Sequence, residues 1–259
     1  MTNFVLVHGA MHGGWVWESV WSRLIAHGHE VARPDLAGSG LDVTPLEHVS
    51  LGLISRRIAD AALDLGNCDP DHGVGEPVVL VGQGMGGLVI GEVAERIPQF
   101  VLGLVYVSAA LVPPGQSVLQ TLGHAEGRRF RTGQLNGDDT VLRPDRDTAR
   151  KLYFGAATPD RADRAARRLV RQVTLPLEEP TTVTDEEFGL VPRAYVECLR
   201  DQAISIETQR AMQSVLPCDP VLTLDADHTP SLSAPDELAD ALISIAEKFE
   251  ARGRQTPTH

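Results

Sequence analysis

The chain has 259 residues, 42% hydrophobic and 22% charged, enough to bury one substantial core, and α/β chains of this length form single domains. Its formal net charge of -12 and pI near 5.1 speak against an unassisted grip on nucleic-acid phosphates or anionic lipid heads. Cys68, Cys198 and Cys218 lack C-x-x-C or metal-ligand spacing, which excludes a disulfide framework and a zinc site, and no apolar run reaches the roughly 18 residues of a membrane span.

Phe4 to Val7 is a continuous apolar run, the signature of a strand buried on both faces. It begins too early to leave room for a signal peptide, so a soluble, cytoplasmic protein is expected. The loop His8-Gly9-Ala10-Met11-His12-Gly13-Gly14-Trp15 follows. Apolar residues at three- and four-residue spacing predict helices over Trp17 to Ala26 and Leu51 to Leu65, with a strand at His29 to Arg33 between them. Asn67 to Glu76 is a Gly, Asp and Pro-rich surface loop.

Val78 to Val81 reads as the next strand, Leu88 to Glu95 as a helix, and Gly82-Gln83-Gly84-Met85-Gly86-Gly87 as the tight turn between them. Strand, turn and helix form the context of a nucleophile elbow, G-x-S-x-G, whose small flanking residues let the strand and helix backbones approach. Gly82 and Gly86 satisfy the flanks, but the centre is Gly84, which offers no side chain. The same residues match G-x-G-x-x-G. A dinucleotide site, however, expects an acid about 20 residues on, and the next strand, Val101 to Val107, runs into Ser108-Ala109-Ala110 without one.

From Pro113 to Leu190, prolines, glycines and charged helical stretches replace the alternation, which predicts a helical insertion lying over the sheet as a lid. Arginines cluster at Arg128, Arg129 and Arg131 and at Arg161, Arg164, Arg167, Arg168 and Arg171, the second group interleaved with Asp160 and Asp163. Mixed charge at helical spacing reads as a solvated face. Strands are expected at Arg193 to Cys198 and Pro220 to Leu224. A closing helix follows from Pro235 to Glu250 with Ser233 as N-cap. The division is core over 1–112, lid over 113–190, core over 191–252 and a disordered tail over 253–259.

Asp201 follows one late strand and His228 the other, so the order is elbow, acid, histidine, as in a triad where the acid fixes the imidazole tautomer. Asp225 and Asp227 are nearby alternatives, too close in sequence to reach the far ring nitrogen. Ala10 and Met85 stand where backbone N–H groups would form an oxyanion hole. His12, Gln83 and Ser108 are candidate pocket residues; Ser108 and Ser39 are also weighed as substitute nucleophiles but read as turn residues.

The sequence resembles the plant methylesterase and hydroxynitrile lyase branch of the α/β-hydrolases and its bacterial relatives. The resemblance is carried by Phe4 to Ala10 with His12-Gly13-Gly14-Trp15, by Asp35-Leu36-Ala37-Gly38-Ser39-Gly40, by the elbow, and by Asp201 and Ala226-Asp227-His228. It implies an α/β-hydrolase fold with a mainly parallel sheet flanked by helices. It also implies cofactor-free chemistry on a small ester or carbonyl compound under the lid. Thr229 departs from the lysine that the lyases resemble one another in having there, and Gly84 departs from the serine. Three readings follow: a dyad enzyme using His228 and Asp201 as general acid and base, an esterase whose serine has become Gly84, and a non-catalytic ligand-binding protein. The expected partner is a small-molecule substrate, with no nucleic acid, membrane, metal or cofactor; homodimerisation is left open.

Overall fold

Five consecutive buried residues form β1 (Asn3–Val7), and the computed structural model, which describes residues 1–123, 134–135 and 138–254, shows what they face. The other strands are β2 (Glu30–Ala32), β3 (Val78–Gln83), β4 (Val101–Val107), β5 (Gln134–Leu135), β6 (Asp138–Leu142), β7 (Gln172–Val173), β8 (Arg193–Cys198) and β9 (Val221–Leu224). Six of them make one sheet in the order β2-β1-β3-β4-β8-β9, every pairing parallel. Side chains alternate across a strand. Phe4 and Leu6 join Val79, Val81, Val105 and Val107 on one face; Val5 and Val7 join Leu80, Leu104 and Tyr106 on the other.

Helices α1 (Glu18–Ala26), α2 (Leu51–Leu65) and α3 (Gly86–Arg96) are followed by α4 (Arg146–Tyr153), α5 (Pro159–Arg168), α6 (Leu175–Glu178), α7 (Ile206–Val215), α8 (Pro230–Ser233) and α9 (Pro235–Gly253). Val20 and Leu24 of α1 and Leu238, Leu242, Ile245 and Phe249 of α9 cover the first face. Ile54 and Ile58 of α2 and Val89, Ile90 and Val93 of α3 cover the second. Double coverage is why the strands read as unbroken apolar runs. It also gives the sheet a single functional edge, since parallel strands place all their carboxyl ends together. The loops after β1, β3, β8 and β9 all leave from that edge.

The chain between β4 and β8 is not helical throughout: β5, β6 and β7 form an antiparallel sheet there. Two of these strands have two residues each, too short to show an alternating pattern. Ser233 does not cap α9. It ends α8, and its hydroxyl donates to Asp227 Oδ1 at 2.8 Å, leaving Ala234 at the cap and Pro235 in the first turn. Trp17 closes a 3-10 turn, Gly14–Trp17, ahead of α1. In the second arginine group Arg164 pairs with Asp160, and the interleaved Asp163 pairs with Arg150, on the expected solvated face, whereas Arg161 donates to the Leu232 carbonyl and Arg168 lies over the Trp15 ring; Arg128, Arg129, Arg131 and the final residues 255–259 lie outside the described residues. No helix among the described residues is long and apolar enough to cross a membrane.

Leu242 is fully buried between α9 and the sheet. Leu242→Ala should lower unfolding free energy by about 2–5 kcal/mol, the range for a core leucine whose cavity only partly collapses; urea denaturation measures it.

Candidate active site

The turn after β3 is built by close approach. A Cβ on Gly82 would stand 2.5 Å from the Gly86 carbonyl, and one on Gly86 would stand 2.5 Å from Val7 O, so both flanking positions require glycine. The centre, Gly84, has φ +55, the left-handed region that side-chain-bearing residues enter at a cost. Its carbonyl accepts from Gly87 N–H at 3.2 Å and Ala110 N–H at 2.9 Å, which holds the turn. A Cβ built on Gly84 would lie 3.0 Å from His228 Nε2. The free face of the imidazole therefore points at the position where the elbow's side chain would begin.

The other ring nitrogen faces Asp201. His228 Nδ1 lies 2.8 Å from Asp201 Oδ2, with both side chains buried. Asp201 Oδ1 accepts from Ala203 and Ile204 N–H at 2.7 and 2.9 Å, and Oδ2 from Gln209 Nε2 at 3.3 Å. A carboxylate only accepts, so Nδ1 carries the proton and Nε2 is left as the basic atom. The two alternative acids are engaged elsewhere. Asp225 pairs with Arg200 on the surface, and Asp227 accepts from Ala156 N–H, Thr229 N–H and Ser233 Oγ.

Gln83 and Ser108, expected in the pocket, are turned to positioning instead. Gln83 Nε2 donates to the His228 carbonyl at 2.8 Å while its Oε1 accepts from Gly9 N–H at 3.0 Å. Ser108, held at φ +42, donates from Oγ to the same carbonyl at 2.9 Å. Ser39 is likewise occupied, donating to Gln172 Oε1. None of these side chains is free to attack a substrate.

Ala10 and Met85 close the site from the β1 and β3 sides. Both are buried, and among the described residues no protein acceptor is found for either N–H. Two amides without a protein acceptor, in the loop after β1 and the turn after β3, can stabilise a developing oxyanion if both face the substrate. The β1 loop is stiffened by Met11 at φ +66, whose carbonyl accepts from Val170 N–H at 2.9 Å. His8 bridges Gly9 O and Leu36 N–H. His12 Nδ1 lies 2.7 Å from Ala10 O.

Sequence reasoning misses Tyr153, whose ring centroid is 5.6 Å from that of His228 and 5.8 Å from that of His12, and Phe154, 5.6 Å from His12. Both lie in the insertion, where no strand end announces a site. Burial raises the Tyr153 phenol well above its ordinary range, so it stays a neutral hydroxyl. The open cleft of about 670 Å³ lined by Leu46, Val49, Arg171 and Leu175 contains none of the site residues. Among the described residues no group of His, Cys, Asp and Glu could hold a metal ion.

Burial lowers His8 and His12, the latter to about 3. In the unfolded chain both titrate near 6.5, so below that pH the unfolded state takes up protons that the folded state refuses. Their contribution is whole above about 6.5 and is lost as pH falls, by up to about 1.4 kcal/mol per pH unit for each ring. Urea denaturation from pH 7 to 4 should show His12→Phe with a shallower acid slope, by about one proton, than the parent chain.

The description "Alpha/beta hydrolase family" matches residues 4–241. Salicylic acid-binding protein 2 of Nicotiana tabacum is 33% identical, across 95% of this chain and 98% of that protein. Methylesterase 7 of Arabidopsis thaliana is 32% identical, across 95% and 97%. The crystal structure of polyneuridine aldehyde esterase superposes with a TM-score of 0.83 at 23% identity, covering 95% of this chain and 99% of that one.

Proposed function

The chain belongs to the alpha/beta hydrolase family and is an enzyme of that fold related to plant methylesterases, and on that premise we propose that it performs proton transfer on a small carbonyl compound without a covalent intermediate. The observation that carries this reading is the aim of His228 Nε2 at a turn whose centre is glycine, 3.0 Å from where a Cβ would stand. The substrate carbonyl oxygen sits between the Ala10 and Met85 amides. His228 Nε2 removes a proton next to the carbonyl, and the charge that develops on oxygen is met by those two N–H groups. The imidazolium formed is stabilised by the buried Asp201 carboxylate at 2.8 Å, and the same ring returns the proton to the product. Cyclisation, elimination, aldol-type cleavage and decarboxylation all fit this equipment. Residues 113–190 serve as the lid, with Tyr153 and Phe154 as its inner wall.

Acyl-enzyme hydrolysis is the contrasting reading, and it lacks an oxygen at residue 84. Incubation with 4-nitrophenyl acetate should give no acyl adduct by intact-protein mass spectrometry, whereas Gly84→Ser should form one if the remaining machinery is that of an esterase. The direct test is deuterium incorporation next to the carbonyl of ethyl acetoacetate and cyclohexanone in D2O, followed by NMR. The parent chain should exceed His228→Ala by about 10²–10⁴-fold in rate. Equal rates in the two proteins would remove the proposed role of the imidazole.

A further inference from the structure

Two ring nitrogens beside the site are buried without a protein partner among the described residues: His12 Nε2 and Trp15 Nε1. Buried polar atoms are nearly always hydrogen-bonded, so each such exception calls for an explanation. For His12 the chemistry is determined. The Ala10 carbonyl 2.7 Å from Nδ1 can only accept, so Nδ1 holds the proton and Nε2 presents a bare lone pair. Burial keeps this ring neutral down to a pH of about 3, which makes Nε2 a permanent acceptor. Trp15 supplies the opposite function, because an indole N–H only donates.

The two rings stack, with centroids 5.8 Å apart and planes 28° from parallel. The guanidinium of Arg168 lies 4.5 Å over the Trp15 ring, clamping the indole to α5. An unpaired acceptor and an unpaired donor thus stand on neighbouring, immobilised rings. A hydroxyl group has the chemistry to serve both, its oxygen accepting from an indole N–H and its proton going to an imidazole nitrogen. A carbonyl or ether oxygen serves only the indole, and an ammonium serves only the imidazole. The place is next to the reaction: His12 is bonded to Ala10, whose N–H belongs to the amide pair, and Tyr153 touches both His12 and His228.

We propose that His12 and Trp15 form a hydroxyl-recognition pair, so that the substrate is a small hydroxylated carbonyl compound whose carbonyl meets the Ala10 and Met85 amides. This deepens the proton-transfer reading and rests on it for the placement of the carbonyl. The test reads binding rather than turnover. Calorimetric titration compares acetophenone with its 2-, 3- and 4-hydroxy derivatives and with the matching methyl ethers, which can accept but not donate. At least one hydroxy isomer should bind tenfold or more tightly than both acetophenone and its own ether, equally at pH 6 and 8. His12→Phe should abolish that preference, and Trp15→Phe, which keeps an aromatic face but loses the pyrrole ring with its N–H, should weaken it. Thermal melts check that both variants fold; if His12→Phe does not, Trp15→Phe decides. His228→Ala should retain the preference while losing proton exchange, which separates a failure of this pair from a failure of the base. Absence of a preference in the parent chain, or its survival in both ring variants, would mean that the pair holds buried water only, and would overturn the proposal.

Discussion

The backbone carbonyl of His228 is the point on which the site hangs. It accepts from Gln83 Nε2 and Ser108 Oγ at 2.8 and 2.9 Å, the first from the end of β3 and the second from the turn after β4. Gln83 also holds Gly9 N–H, so a single amide side chain registers the loop after β1 against the histidine loop. With the carbonyl anchored on one side and the ring anchored through Nδ1 to Asp201, the imidazole has no rotational freedom left to spend. Electrostatic catalysis gains most when its dipoles need no reorganisation at the moment of reaction, and this double anchoring supplies that rigidity.

Much of this was readable beforehand, for reasons that belong to particular residues. The sheet was legible because strands covered on both faces have no polar alternation to confuse the pattern, as Phe4 to Val7 and Val78 to Val81 show. Asp201 could be preferred over Asp225 and Asp227 because an acid adjacent to the histidine in sequence cannot bend back to the far ring nitrogen. The roles of Gln83 and Ser108 were not legible. Which way their side chains turn depends on backbone angles in tight turns, φ +42 at Ser108 among them, and no periodicity encodes those. Tyr153 was hidden for a different reason: it reaches the site from an insertion whose fold depends on what it packs against.

Gly84 joins the two halves of the chemistry. Glycine keeps the elbow geometry that serine would need, including the left-handed backbone, and lacks the side chain, Cβ and hydroxyl alike. Among the described residues the Ala10 and Met85 amides have no protein acceptor and the imidazole is aimed at this position, so the equipment of the proposed chemistry stands without an attacking oxygen at residue 84. The proposed proton-transfer chemistry holds no substrate covalently. It depends instead on contacts that keep the reacting carbon under Nε2, which places the selective burden on the surrounding rings.

Among the hydrogen bonds that tie the segment between β4 and β8 to the core, two reach the loops of the site: Val170 N–H donates to the Met11 carbonyl and Ala156 N–H to the Asp227 carboxylate. One mooring reaches the loop that carries Ala10, and the other reaches the neighbour of His228. If residues 113–190 act as the proposed lid, admission and chemistry share their hardware: an opening that parts these two bonds also slackens the loops bearing the Ala10 amide and His228.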